Sequence, residues 1–175
     1  MNIKKHIPNA LTCGNLLSGC IGIVYAFNSE LKMVAFFVLI SGVLDFFDGF
    51  AARLLNVKSE IGKELDSLAD VISFGFLPGV LIFQMLQNLQ FGNWSYIGFL
   101  ITIFSALRLA KFNIDTRQTQ DFIGLNTPTN TFFIISLPWL IEDYPVINNE
   151  YLFLAITLIT SYLLISELKL FSLKF

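Results

Sequence analysis

The chain alternates between long apolar stretches and short polar connections. Six of the stretches approach the ~20 residues that a helix needs to cross a bilayer. The pattern predicts six membrane-spanning helices, at Leu11–Phe27, Met33–Leu55, Leu65–Leu86, Trp94–Lys111, Pro128–Ile141 and Tyr151–Ser166. We therefore expect an all-α integral membrane protein whose 175 residues form one membrane domain, residues 1–175.

Composition supports a membrane location and excludes one large class of partners. The chain is 55% hydrophobic and only 14% charged, with a mean hydropathy of +0.69. Soluble domains carry about 25% charged residues. The formal net charge of −2 offers no basic face for phosphates, so we expect a lipid bilayer as partner and no nucleic acid.

The basic residues predict the orientation of the helices. Six spans place both termini on one side of the membrane, and ten of the 11 Lys and Arg residues fall on that side. Only Lys32 falls on the other side. Basic residues mark the cytoplasmic loops of membrane proteins, so both termini are expected in the cytoplasm. Residues 1–10 are expected to form a short interfacial segment, because Ile3 and Ile7 together with Lys4 and Lys5 suit an amphipathic helix on a membrane surface.

Four aspartates interrupt the apolar pattern around the second connection. Asp45 and Asp48 are three residues apart, and Asp66 and Asp70 are four apart, so each pair shares one helical face. The short connection makes the two helices antiparallel neighbours. The four carboxylates are therefore expected to converge on one point, at the cytoplasmic ends of these helices.

The cost of these carboxylates indicates what they hold. A single aspartate could be an ordinary helix-end charge, but each costs ~2.5–3.5 kcal/mol inside a membrane segment, and four together require compensation. Oxygen ligands without nearby His or Cys favour Mg²⁺ or Mn²⁺ over Zn²⁺, and four carboxylates are enough for a pair of ions. Gly49 and Gly62 would let a phosphate come close, and Ser59 offers a hydroxyl. The pattern predicts a metal site for a phosphate-bearing substrate.

The stretch DFFDGFAARLLNVKSEIGKELDSLAD (Asp45–Asp70) reads D-x2-D-G-x2-A-R-x8-G-x3-D-x3-D. It resembles the signature of the CDP-alcohol phosphatidyltransferases, which have a six-helix core. The stretches Ile7–Gly19, Leu65–Gly75 and Ala106–Asn113 resemble the members that use serine. The resemblance implies metal-dependent transfer of a phosphatidyl group from CDP-diacylglycerol to L-serine, with CMP as the second product, by an enzyme that forms a homodimer.

The resemblance also implies roles for individual residues. Asp45, Asp48 and Asp66 would bind metal, and Asp70 would bind metal and act as the general base. A further set would bind CDP-diacylglycerol: Pro8, Asn9, Ala10, Leu11, Gly49, Arg53 and Ser59. Gly62 is added to this set because a small residue lets the phosphates come close.

A basic group at the end of the fourth span is a candidate for binding the acceptor. Arg108 and Lys111 share a helical face, and Asn113 follows. They suit the serine carboxylate or a lipid phosphate, although a snorkelling pair at the membrane surface is the simpler alternative. The next loop has GLNTPTN where the family often has GLPxPA, so Thr127, Thr129 and Asn130 depart from the pattern and leave the acceptor contacts of this loop open.

Other functions remain open at this stage. Another member of the family would use a glycerol-phosphate or inositol-phosphate acceptor in place of serine. A small cation transporter could also use buried carboxylates, but it would place them near the midplane, often with an inverted repeat. Asn15 is a polar residue in the first apolar stretch, and it could serve either helix packing or nucleotide binding.

Overall fold

The computed structural model describes residues 6–57, 59–114 and 124–168. Within those ranges all regular secondary structure is helical and no strand occurs, which confirms the expected all-α class. The α-helices are α1 His6–Phe27, α2 Leu31–Leu54, α3 Glu60–Asp70, α4 Leu77–Asn88, α5 Leu100–Ile114, α6 Thr127–Asp143 and α7 Glu150–Ile165. A π-helical segment, Val71–Phe76, joins α3 to α4, and a 3₁₀ segment, Gly92–Phe99, precedes α5.

Four helical stretches of the described chain are long and apolar enough to cross a membrane: His6–Phe27, Leu31–Leu54, Glu60–Asn88 and Gly92–Ile114. They match the first four predicted spans, of which the second extends one residue further, to Leu55. The chain is therefore an integral membrane protein. α6 and α7 coincide with the last two predicted spans but have only 17 and 16 residues, and the count of six spans stays a prediction.

The expected interfacial segment is not a separate element where the structure describes it. α1 begins at His6, so residues 6–10 form its first turns. Residues 1–5 lie outside the described residues. Hydropathy alone could not locate this boundary, because His6 and Asn9 are polar but compatible with a helix.

The chain divides into two compact units, Met1–Leu77 and Pro78–Phe175. In the first unit, α1 packs along α2 and contacts α3 and the π segment. Small residues bring these elements together. A Cβ atom on Gly19 would lie 2.9 Å from the Cα atom of Ser73, so α1 and the π segment touch backbone to backbone.

A tight turn and a helix cap place the two acidic pairs. Asn56 ends the turn after α2 with φ of 50°, a left-handed conformation that Asn tolerates. The side chain of Ser59 then caps α3 by accepting a 3.1 Å hydrogen bond from the Gly62 backbone N–H. The sequence motif is thereby folded into two consecutive helices that both contact α1, with their aspartates close together.

The second unit is held together by α5 and α7. Lys111 at the end of α5 forms a 3.4 Å ion pair with Glu167 just beyond α7. Gly124 has a φ of 78°, and a Cβ atom there would lie 2.9 Å from the Ser166 carbonyl oxygen. Glycine is therefore required where the chain leading to α6 passes the end of α7.

Candidate functional site

Three of the four predicted aspartates form a compact cluster. Asp45, Asp48 and Asp66 each place a carboxylate oxygen within 4.8 Å of the other two. Asp70 lies outside this group of three, but the Asp45 side chain contacts both Asp66 and Asp70. Asp48 and Asp70 are buried, at 6% and 9% exposure. The expected convergence of the two helix faces is therefore present in the structure.

The cluster suits a hard divalent cation. One oxygen of Asp66, Oδ1, is buried and has no hydrogen-bond partner among the described residues. Carboxylates this close together repel each other unless a proton or a cation lies between them. An all-oxygen set with an unpaired buried oxygen matches the ligand preference of Mg²⁺, Mn²⁺ or Ca²⁺. The cluster could therefore hold a metal ion.

Helix α1 supplies a hydrogen-bond donor to each acidic pair. The buried Thr12 hydroxyl donates to Asp48 Oδ2 at 2.6 Å, and the fully buried Asn15 amide donates from Nδ2 to Asp70 Oδ1 at 3.2 Å. Thr12 had no predicted role, and the predicted role of Asn15 was left open between helix packing and nucleotide binding. The spacing of Pro8, Thr12 and Asn15 could have indicated these roles, because it places all three residues on one face of a helix.

A cavity of about 730 Å³ opens beside the acidic cluster in the first unit. Seven predicted site residues line it: Pro8, Asn9, Asp48, Gly49, Ser59, Gly62 and Asp66. Six further residues complete the lining, and none of them was predicted as a site residue: Thr12, Ala52, Val57, Glu60, Lys63 and Glu64. The volume falls within the ~300–1,000 Å³ range of small-molecule sites.

The two glycines of the cavity have different surroundings. Beyond the neighbouring backbone of α2, a Cβ atom on Gly49 would meet no protein atom within 4 Å, whereas one on Gly62 would lie 2.8 Å from Asn9 Oδ1. Packing within the chain therefore explains Gly62. At Gly49 the described protein leaves open space, and a ligand that comes close would explain the absence of a side chain.

Three predicted nucleotide-binding residues do not line the cavity. Arg53 is exposed, and its Nε donates a 3.1 Å hydrogen bond to the Gly49 carbonyl oxygen one turn earlier. Ala10 is exposed on α1 and Leu11 is half-buried. Their expected contacts with CDP-diacylglycerol stay predictions.

The predicted acceptor residues Arg108, Lys111 and Asn113 belong to the second unit. Arg108 and Asn113 are half-buried, and Lys111 is exposed and paired with Glu167. This pairing agrees with the surface alternative for Lys111. The binding roles of all three residues stay predictions.

A family model for CDP-alcohol phosphatidyltransferases matches residues 5–164, which include every element of the candidate site. The chain belongs to the CDP-alcohol phosphatidyltransferase family. The resemblance seen in the Asp45–Asp70 motif therefore extends over almost the whole chain.

Individual relatives of this family member are similar over nearly the full chain. Proteins named CDP-diacylglycerol–serine O-phosphatidyltransferase from Helicobacter pylori and Bacillus subtilis are 35% and 34% identical, over 93% and 94% of this chain and 70% and 89% of theirs. A protein named archaetidylserine synthase from Methanothermobacter thermautotrophicus is 31% identical, over 91% of this chain and 70% of its own. All three names contain serine.

Proposed function

We propose that this chain transfers the phosphatidyl group of CDP-diacylglycerol to L-serine, producing phosphatidylserine and CMP. The observation that carries the proposal is the agreement on serine among relatives that match more than nine-tenths of the chain. The acidic cluster beside a cavity of about 730 Å³ supports it, because the cavity can take a nucleotide-sized ligand.

The reaction is a displacement at phosphorus. The serine hydroxyl oxygen forms a bond to the lipid-side phosphorus, the bond from that phosphorus to the bridging oxygen breaks, and CMP leaves with that oxygen. The hydroxyl proton goes to Asp70, the general base, which is more enclosed than Asp45 and Asp66. The nucleotide would lie against Pro8, Asn9 and Gly49, which line the cavity.

Asp45, Asp48 and Asp66 are the proposed ligands of a divalent cation, Mg²⁺ or Mn²⁺, and Asp70 would share a second ion. When bound, such ions neutralise the diphosphate and stabilise the leaving CMP. The protein's own contribution is to hold the carboxylates in place through donors on α1.

The membrane arrangement extends the same proposal. α6 and α7 would be the fifth and sixth spans, which puts both termini and the acidic cluster on the cytoplasmic side, where ten of the 11 basic residues also lie. At 1.5 Å per residue these helices are about 24–26 Å long, slightly short for a ~30 Å hydrocarbon core. The enzyme would act as a homodimer, as the family resemblance implies. Reporter fusions at each connection and cross-linking in membranes test these two points.

Incorporation of labelled serine into chloroform-soluble lipid tests the function. Purified protein receives CDP-diacylglycerol with Mg²⁺ or Mn²⁺, and the controls are EDTA and Asp70→Asn. Phosphatidylserine and CMP should form in equal amounts, and both should disappear in the two controls. Restoration of turnover after EDTA by Mn²⁺ or Mg²⁺ identifies the effective ion.

A panel of acceptors separates the alternatives. CMP release with glycerol 3-phosphate or inositol phosphate, but not with serine, would retain the reaction type and refute the serine assignment. Absence of turnover with every alcohol, despite metal binding, would overturn the transferase proposal and favour an ion pathway through the acidic cluster.

A further inference from the structure

Asn15 connects three elements of the first unit. It lies in the middle of α1 and is fully buried. Its amide nitrogen Nδ2 donates to Asp70 Oδ1 at 3.2 Å. Its main-chain carbonyl oxygen accepts hydrogen bonds from the hydroxyls of Ser41 on α2, at 3.2 Å, and Ser73 on the π segment, at 3.1 Å. The backbone of residue 15 is therefore held from two sides while its side chain reaches Asp70.

The packing around Asn15 sets its distance from Asp70. Gly19, one turn further along α1, lies against the backbone of Ser73. A shift of α1 toward the π segment would cause a clash there, and a shift away would lose this contact. Asp70 is the last residue of α3, directly before that segment. π-helical turns are rare and frequent at functional sites. Here the π turn, which begins directly after Asp70, places the Ser73 hydroxyl within hydrogen-bond distance of the Asn15 carbonyl oxygen.

The Asn15 amide is only half satisfied, which argues against a purely structural role. Its Oδ1 atom is buried and has no hydrogen-bond partner among the described residues. An amide turned the other way would place Oδ1 against the Asp70 carboxylate. An apolar side chain of the same size would avoid an unpaired buried acceptor. The one side-chain hydrogen bond seen for the Asn15 amide is the bond to Asp70.

We infer that Asn15 is a positioning residue for Asp70, and the inference rests on the proposed function. Donation to Oδ1 fixes the rotation of the carboxylate and leaves Oδ2 for the proton of the acceptor hydroxyl. Asn15 lies on the Asp70 side of the acidic group, whereas Thr12 contacts Asp48 in the cluster of three. Loss of the Asn15 donor should therefore impair turnover while the cluster of Asp45, Asp48 and Asp66 still binds a cation.

The test compares Asn15→Leu with Ser18→Ala. Ser18 is buried on the same helix, and its hydroxyl donates to the Phe37 carbonyl oxygen at 2.8 Å, so the control removes a partly buried hydrogen bond of α1 that does not reach an aspartate. We expect Asn15→Leu to lower kcat about 10–100-fold. The KM for CDP-diacylglycerol and the Mn²⁺ affinity of the tighter site, assigned to Asp45, Asp48 and Asp66 and measured by electron paramagnetic resonance, should change less than about 3-fold. Ser18→Ala should keep kcat within about 3-fold.

A double variant distinguishes positioning from general loss of structure. Asp70→Glu keeps a carboxylate but moves it away from the Asn15 amide. If Asn15 acts through Asp70, Asn15→Leu should lower kcat much less in the Asp70→Glu background than in wild type. Asn15→Asp keeps the side-chain shape and replaces the donor with an acceptor, and it should show the same kcat loss if Asn15→Leu fails to fold.

The outcomes separate this inference from the proposed function. Three results would overturn the positioning role while the function stands. They are multiplicative kcat losses in the double variant, a loss confined to KM or Mn²⁺ affinity, and wild-type kcat in Asn15→Leu. If another alcohol replaces serine as the acceptor, the same comparison applies with that alcohol, because its proton has the same destination. A wild-type protein that turns over no acceptor would overturn both.

Discussion

The Thr12 hydroxyl lies 2.6 Å from Asp48 Oδ2 and 3.0 Å from the Pro8 carbonyl oxygen. A hydroxyl has one proton to donate, and the shorter bond to an ionised carboxylate is the stronger of the two. α1 therefore orients one member of the acidic cluster on α2. Donors behind a ligand are part of a metal site, because they fix the direction of its lone pairs.

Removing this donor should weaken metal binding. Thr12→Val keeps the branched shape but loses the hydroxyl, so Asp48 would be free to rotate. We expect the Kd for Mn²⁺ to rise about 10-fold or more, as measured by electron paramagnetic resonance in detergent. Thr12→Ser keeps the hydroxyl and should stay close to wild type. Equal Mn²⁺ affinity in Thr12→Val and Thr12→Ser would show that the hydrogen bond does not orient a ligand.

Gly49→Ala tests whether the substrate comes close to α2. A methyl group there meets no protein atom within 4 Å beyond the neighbouring backbone of α2, so the thermal stability of the variant should equal or slightly exceed that of wild type, because Ala favours a helix over Gly. If the CDP-diacylglycerol diphosphate lies against Gly49, the methyl group should raise the KM for that substrate about 10-fold, a loss of about 1.4 kcal/mol of binding. Steady-state kinetics measures this change, and an unaltered KM would remove Gly49 from the substrate site.

Gly62→Ala should act through the protein instead. Its methyl group would lie 2.8 Å from Asn9 Oδ1 and 3.3 Å from Ser59 Cβ, so the wall of the cavity must shift. We expect lower thermal stability and a higher KM together, unlike the KM effect alone in Gly49→Ala. Wild-type stability in Gly62→Ala would show that Asn9 moves aside at no cost.

Gly19→Ala tests the contact that holds α1 against the π segment. The added Cβ would lie 2.9 Å from the Ser73 Cα, which is backbone and cannot move aside alone. We expect a destabilisation of about 1–3 kcal/mol, or about 2–4 °C in Tm for each kcal/mol. Gly14→Ala is the matched control, because its Cβ would meet the flexible side chain of Leu44 at 3.2 Å. Thermal unfolding of both variants in detergent measures the difference, and equal Tm values would contradict the backbone contact.

The helices were predictable because the membrane imposes a simple rule on the sequence. The second predicted stretch, Met33–Leu55, differs from the observed helix Leu31–Leu54 by two residues at its start and one at its end. The acidic cluster was predictable for a similar reason, since spacings of three and four residues place side chains on one helical face. Both inferences use only local sequence.

The donors on α1 could not be derived in the same way. Thr12 and Asp48 are 36 residues apart, and Asn15 and Asp70 are 55 apart. Such contacts depend on how helices rotate and approach, which Gly19 and the π segment determine here. The sequence predicted that all four aspartates bind metal and that Asp70 is also the general base. The structure groups Asp45, Asp48 and Asp66 and adds a hydrogen bond from Asn15 to Asp70, which the sequence did not predict.

Arg108 and Lys111 share a helical face, yet they should respond differently to substitution. Lys111 is exposed and already pairs with Glu167 at 3.4 Å, and such surface pairs contribute only about 0–1 kcal/mol. Arg108 is half-buried, and its planar guanidinium suits a carboxylate. We expect Arg108→Gln to raise the KM for serine about 10-fold with little change in kcat, because it removes binding common to ground state and transition state. Lys111→Gln should leave both constants within about 2-fold of wild type. Serine saturation curves for the two variants decide the point, and the reverse order of effects would assign the serine carboxylate to Lys111.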